Sequence, residues 1–383
     1  MKYLDEYRDP AACRRLLSAV RQTATRRWTI MEVCGGQTHG LLRHGIDQQL
    51  QGAVRLIHGP GCPVCVTPLE AIDQAIRLAR QPDVILTSFG DMLRVPGSCE
   101  SLLSVRADGG NVRIVYSPLD AVQLAQREPG NQVVFFAVGF ETTTPATALA
   151  VQQASRLNLQ NFSLLVSHVR VLPAMETLAA SRDNSVEGFL AAGHVCTVAG
   201  YESYEAFVRR FRLPVVVTGF EPVDLLTGIL ECVRQLESGE ASVVNMYGRS
   251  VAAEGNRHAL DIVDDVYEIC DRPWRGLGVL PGGGLRLRDR WSRFDASKRF
   301  QASTAAVVEC PDCRSGEVLI GRIKPTECEQ FGRRCTPESP LGAPMVSAEG
   351  ACAAYYRYAR GSNNDPQIPV AVQRSGSGSF FGG

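Results

Sequence analysis

Between Trp28 and about Leu236 the chain repeats one unit: a short apolar run, a Gly-rich or polar turn, then an amphipathic segment. The runs lie at 29–33, 53–57, 84–86, 112–116, 133–138, 164–166 and 215–218. They are almost continuously hydrophobic and rich in Val and Ile, as strands of a parallel sheet covered on both faces are. Several of the segments that follow open with a cap residue and then proline, a helix-start signal: Thr67-Pro68, Ser117-Pro118 and Thr144-Pro145. Thr67 with Glu70 also has the spacing of a capping box. Leu69, Ile72, Ile76 and Ala79 fall on one helical stripe, and Val223, Leu226, Leu230 and Val233 repeat the spacing. Strands alternating with helices predict an α/β architecture with parallel sheets and right-handed crossovers.

The 383 residues are long enough for two or three domains. We place α/β domain I at 25–125 and α/β domain II at 126–261. A C-terminal region at 262–383, to which 1–24 is a candidate addition, differs in character. Its stretches 272–278 and 281–284 are rich in turn residues, and 374–379 reads as a flexible tail. Lys and Arg total 40 against 40 Asp and Glu, which argues against a nucleic-acid binder and a polybasic membrane-surface protein. The apolar runs fall well short of the ~20 residues a membrane helix needs, and the amino terminus shows no apolar signal segment. A cytoplasmic protein is expected.

The residues ending the strands carry the chemistry. Gly139-Phe140-Glu141 and Gly219-Phe220-Glu221 each close an apolar run, with Phe89-Gly90-Asp91 a looser copy. An open α/β sheet binds ligands at this carboxyl edge, although an acid there also starts the next helix. His168 and His194 follow apolar stretches near strand ends and read more readily as structural than as site residues. There is no phosphate-binding loop, dinucleotide fingerprint, zincin motif or nucleophile elbow.

Thirteen cysteines are too few for a disulfide scaffold in a chain this long, but they cluster as metal or redox groups do. Cys34 follows a strand in Cys34-Gly35-Gly36-Gln37-Thr38-His39, where backbone N–H groups beside the glycines favour a thiolate. Cys62-Pro63-Val64-Cys65 lies between a strand and a helix, a context for thiol redox exchange or metal binding. If all three sit at one sheet edge, their sulfurs converge. The third group is Cys310, Cys313, Cys328, Cys335 and Cys352, with no histidine beyond His258. Four thiolates suit zinc or an iron–sulfur cluster, and five cysteines compete for four places.

These blocks, with Gly59-Pro-Gly-Cys-Pro-Val-Cys65, Gly139-Phe-Glu-Thr-Thr-Thr-Pro145, Trp274-Arg-Gly276 and Glu349-Gly-Ala-Cys-Ala-Ala-Tyr-Tyr356, resemble the signatures of the hydrogenase maturation factor HypD family. The match runs from about residue 3 to 360. The resemblance implies two similar α/β domains with parallel sheets flanked by helices, plus a C-terminal [4Fe-4S] domain. It also implies a scaffold, rather than a conventional turnover enzyme, on which the Fe(CN)2CO group of [NiFe]-hydrogenases is built with the partners HypC and HypE. By the same resemblance Cys34 is the iron ligand, Cys62 and Cys65 are the redox CxxC with access to the iron, and Cys313, Cys328, Cys335 and Cys352 hold the cluster. Cys310 is an extra neighbour able to replace Cys313, and Pro344 stands where a further cysteine is expected in some members. Two other classes compete: a thioredoxin-like thiol–disulfide oxidoreductase and a structural zinc-binding adaptor.

Overall fold

The computed structural model describes residues 5–300, 307 and 309–358, and its architecture is α/β with two parallel sheets flanked by helices. Nine strands build them: β1 (Trp28–Glu32), β2 (Val54–His58), β3 (Val84–Ser88), β4 (Val112–Ile114), β5 (Gln132–Gly139), β6 (Phe162–His168), β7 (Gly188–Ala192), β8 (Val215–Thr218) and β9 (Val243–Asn245). One sheet has the order β2-β1-β7-β8-β9 and the other β4-β3-β5-β6. Every neighbouring pair in both is parallel. Two further strands, β10 (Tyr267–Trp274) and β11 (Gly278–Leu287), form an antiparallel hairpin.

The division expected at residue 125 does not follow the sheets. β1 and β2 pair with β7, β8 and β9, so the first sheet is made of residues on both sides of that boundary. The second sheet, β3 to β6, is inserted between its halves. The physical reason is that the central strands of both sheets are buried on both faces and similarly apolar, so hydrophobicity does not reveal which sheet each one joins. The segment 1–24 is also reassigned over its described part. Its helix Pro10–Thr23 buries Cys13, Leu17 and Val20 with Leu226, Ile229 and Val233 of the helix Pro222–Ser238, on the first sheet. The turn-rich 272–284 stretch is the end of the hairpin, which packs Tyr267, Leu285 and Leu287 against Phe162 and Leu164 of β6. The tail at 374–379 lies outside the described residues.

Local signals held unevenly. Ser117 caps the helix Pro118–Arg127 in a capping box with Asp120. Thr67 does not cap with Glu70: its hydroxyl instead donates back to Pro63 O at 2.8 Å, and Pro68 opens the helix Leu69–Ala79.

His168, at the end of β6, is fully buried. Its Nε2 lies 2.8 Å from the Thr147 hydroxyl and its Nδ1 lies 3.3 Å from Gly139 O. Burial pushes its pKa from 6.5 down to about 4. The folded ring is therefore neutral at pH values where an unfolded one is charged, so protons favour the unfolded chain. Stability from this group is intact above pH 6.5 and falls as pH drops toward 4, by about 3 kcal/mol across that window. Urea unfolding of the chain and of His168→Gln at pH 7 and pH 4.5 should show a smaller acid loss in the variant. An equal loss would assign the effect to other groups.

Candidate thiol and metal site

Because both sheets are parallel, strand ends that carry chemistry collect at common edges. Cys34 lies just past β1 and precedes the helix Gly35–Arg43, whose N-cap it is through its backbone alone. Its N–H donates to Glu32 Oε2 at 2.9 Å. Gln37, in the first turn, donates from Nε2 to Ala191 O and Thr218 O, tying this helix to the ends of β7 and β8. The CxxC loop is clamped against Cys34. Gly59 N donates to Glu32 O, and Gly35 N donates to Gly61 O. A Cβ on Gly61 would stand 2.3 Å from Cys34 N and 2.3 Å from Val33 C. No side chain fits there, so Gly61→Ala should destabilise the fold by about 1–3 kcal/mol or more and push the loop off Cys34. Denaturant unfolding checks this; a neutral variant would mean the loop has room.

Cys62 and Cys65 form a disulfide with their Cα atoms 5.2 Å apart, inside the 4.4–6.8 Å range open to such a bond. They are 3% and 0% exposed and share a buried cluster with Phe140, Trp274 and Cys196, against which Cys34 packs. Bonded to each other, these sulfurs are not thiolates, so either one can ligate iron only after reduction. Cys34 departs from the expectation of a stabilised thiolate. The Gly36 and Gln37 backbone groups do favour it, but burial, then Glu349 and Glu32, push the thiol up to about 12. Binding of a metal cation would reverse that balance by displacing the proton.

Sequence patterning did not reveal a buried polar chain beside this site. His58 Nδ1 donates to Glu32 Oε1 at 2.7 Å, and Thr38 Oγ1 bonds the same carboxylate oxygen. His58 Nε2 lies 3.1 Å from the Tyr355 hydroxyl, which reaches Asp47 Oδ2 at 3.4 Å. Lys324 pairs with Asp47. The chain links the backbone of Cys34 to the helix Ala351–Tyr358, which carries Cys352. That helix also meets the Cys34 helix directly, with Tyr358 OH 3.0 Å from His39 Nε2. Cys196 and Tyr204 are other site neighbours that patterning missed, because each stands in a separate helix far from Cys34 in sequence.

The strand-end acids divide. Glu141 accepts Val171 N–H at 3.0 Å through Oε1, while Oε2 is buried without a hydrogen-bond partner, and burial raises its pKa. Glu221 starts the helix Pro222–Ser238 in a capping box with Asp224 and pairs with Arg8. His194 stacks on Phe220 at 3.8 Å between ring centroids, and Phe220 leans on Gly36. His194, Phe220 and Glu221 line an open cleft of about 640 Å³ with Asp224, Tyr247 and Arg249.

Cys313, Cys328, Cys335 and Cys352 line one narrow, almost wholly apolar cavity, to which Pro344 also contributes. Cys310 does not line it but opens onto the adjoining one. Gly342 allows the close approach here, since a Cβ on it would meet Cys313 Sγ at 2.4 Å. Cys335 Sγ accepts the Leu341 N–H at 3.4 Å. Burial, then Cys335, Cys313 and Cys328, drive the Cys352 thiol well above its ordinary value. The set is all sulfur in apolar walls, a donor chemistry that fits an iron–sulfur cluster. Among the described residues no three His, Cys, Asp or Glu side chains converge on a common ion position.

No described helix is long and apolar enough to cross a membrane. The family model described as "HypD: Hydrogenase formation hypA family" matches residues 11–359. The hydrogenase maturation factor HypD of Azotobacter vinelandii is 47% identical over 98% of this chain and all of its own length. The proteins of the same description from Rhodobacter capsulatus and Escherichia coli strain K12 are 46% and 45% identical, each over 94% of this chain and 98% of their own. A family match over most of the chain, with relatives covered almost end to end, makes this chain a member of the HypD family of hydrogenase maturation factors.

Proposed function

We propose that this chain serves [NiFe]-hydrogenase maturation as a scaffold on which the Fe(CN)2CO group is assembled with HypC and HypE. The observation that carries it is the clamping of Cys34 against the Cys62–Cys65 loop through Gly61, which sets a ligand thiol beside a two-electron store. Thiolates are soft donors and suit the electron-rich iron that cyanide and CO prefer. Cys34, a half-buried residue at the sheet edge, takes the iron as cargo, shared with a cysteine of HypC. Opening Cys62–Cys65 takes up two electrons and two protons, and the thiols so freed lie at the same edge.

Cys313, Cys328, Cys335 and Cys352 would hold a [4Fe-4S] cluster, which supplies single electrons when bound. Burial of both CxxC sulfurs argues against a thioredoxin-like enzyme that exchanges with generic disulfides. Eleven of the thirteen cysteines are free, in keeping with a reducing cytoplasm. Expressed in a host whose own maturation factor of this family is deleted, the chain should restore hydrogenase activity. Failure with soluble chain and all partners present would count against the scaffold role.

A further inference from the structure

Arg275 is buried, and among the described residues its charge has one ion-pair partner, an exposed carboxylate. The residue is 6% exposed, and its Nε has no hydrogen-bond partner among the described residues. The nearest carboxylate is Glu309, 3.5 Å from Nε, and that side chain is 60% exposed. Asp73, on the same side, is already engaged by the Ser98 N–H and hydroxyl. Burying a cation this far costs several kcal/mol unless an anion compensates it. Burial lowers its pKa, yet a guanidinium stays protonated in proteins.

The backbone fixes where the charge points. Arg275 N donates to Val66 O at 2.9 Å, directly after the Cys62–Cys65 turn. Trp274 before it is buried against Phe140, with ring centroids 5.8 Å apart. Gly276 after it has φ +81° and leaves no room for a Cβ over Gly316. Arg275 lines a cavity of about 320 Å³ together with Glu309, Cys310 and Cys313. Cys313 is the shared wall: it lines both this cavity and the one formed with Cys328, Cys335 and Cys352.

We propose that Arg275 is the counter-charge of the thiolate-bound cluster and raises its reduction potential, next to the disulfide turn to which its own backbone is bonded. This rests on the reading that the four cysteines hold [4Fe-4S]. Four thiolates give such a cluster a net negative charge that grows by one on reduction. A fixed cation therefore stabilises the reduced form more than the oxidised form. Glu309, pairing with the guanidinium, partly cancels the effect.

The test is a redox titration of the anaerobically purified full chain, followed by visible absorption and electron paramagnetic resonance. In Arg275→Gln the ratio of reduced to oxidised cluster at the unaltered chain's midpoint should fall about tenfold, a shift of about 59 mV to lower potential. Arg275→Lys keeps the charge and should lie closer to the unaltered chain. Glu309→Gln, at an exposed position that does not endanger folding, should shift the midpoint upward. Those opposite signs are not produced by loosened structure. An unmoved midpoint in Arg275→Gln, equal shifts in the Gln and Lys variants, or a downward shift in Glu309→Gln would each overturn the proposal while leaving the cluster assignment standing. If Arg275→Gln does not fold, Arg275→Met, which keeps the apolar stem and removes the charge, takes its place, with the same downward shift expected and an unmoved midpoint overturning the proposal. Absence of any iron–sulfur chromophore from the unaltered chain would overturn both.

Discussion

Cys34→Ala should give a folded, soluble chain whose complex with HypC lacks the CN and CO infrared stretches carried by the unaltered complex. The effect on chemistry is expected to be total, and the effect on folding small. Cys34 caps its helix through the backbone and makes no side-chain cap bond, so removing the sulfur leaves the helix start intact. The N–H bond to Glu32 and the Gly35–Gly61 contact are also made by main chain and survive. What is lost is the sulfur of one half-buried residue, worth about 1 kcal/mol of stability on the scale of ordinary substitutions. Loss of the bands with unchanged unfolding and retained partner binding would therefore be chemical in origin. Bands at full intensity would move the essential ligand to Cys62 or Cys65 in their reduced form.

Serine at Cys328 or Cys335 should abolish the visible absorption of the cluster and reduce its iron to near zero, with both parallel sheets still folded. Each thiol lines the same cavity, and a hydroxyl is a hard, weak substitute for a soft thiolate. Cys335 also accepts the Leu341 N–H, a bond to sulfur of the kind that tunes cluster potentials. Cys310→Ser should keep the full cluster, because Cys310 faces the neighbouring cavity. A full cluster in both the Cys328 and Cys335 variants would remove the assignment. Loss of the cluster in Cys310→Ser would transfer the fourth place from Cys313 to Cys310.

Long apolar strands buried on both faces were legible: the run at 215–218 coincides with β8, and 133–138 lies within β5, whereas β9, three half-buried residues, was not read. β7 was missed because Gly188-Phe-Leu-Ala-Ala is short and rich in small residues, weak on β propensity. Its omission also hid the return to the first sheet and produced the misplaced division at 125. The hairpin was missed because its glycines and Pro273 read as turns, whereas they sit in and between paired strands. At the site, Cys34 and the CxxC were visible as motifs. Their contact through Gly61 was not, since the pairing of β1 with β2 that brings the two blocks together is not encoded in any local spacing. The Glu32–His58–Tyr355–Asp47 chain joins four separate elements, and no local spacing encodes it. The same holds for Arg275, which looks like an ordinary turn arginine until its burial is seen.

Mössbauer spectroscopy of the anaerobically purified chain with HypC, alongside metal analysis, tests the central claim most directly. The account predicts two iron populations: a [4Fe-4S] component that vanishes in Cys335→Ser, and a low-spin iron that vanishes in Cys34→Ala. A colourless protein with zinc on its four C-terminal thiols and no low-spin iron would contradict it.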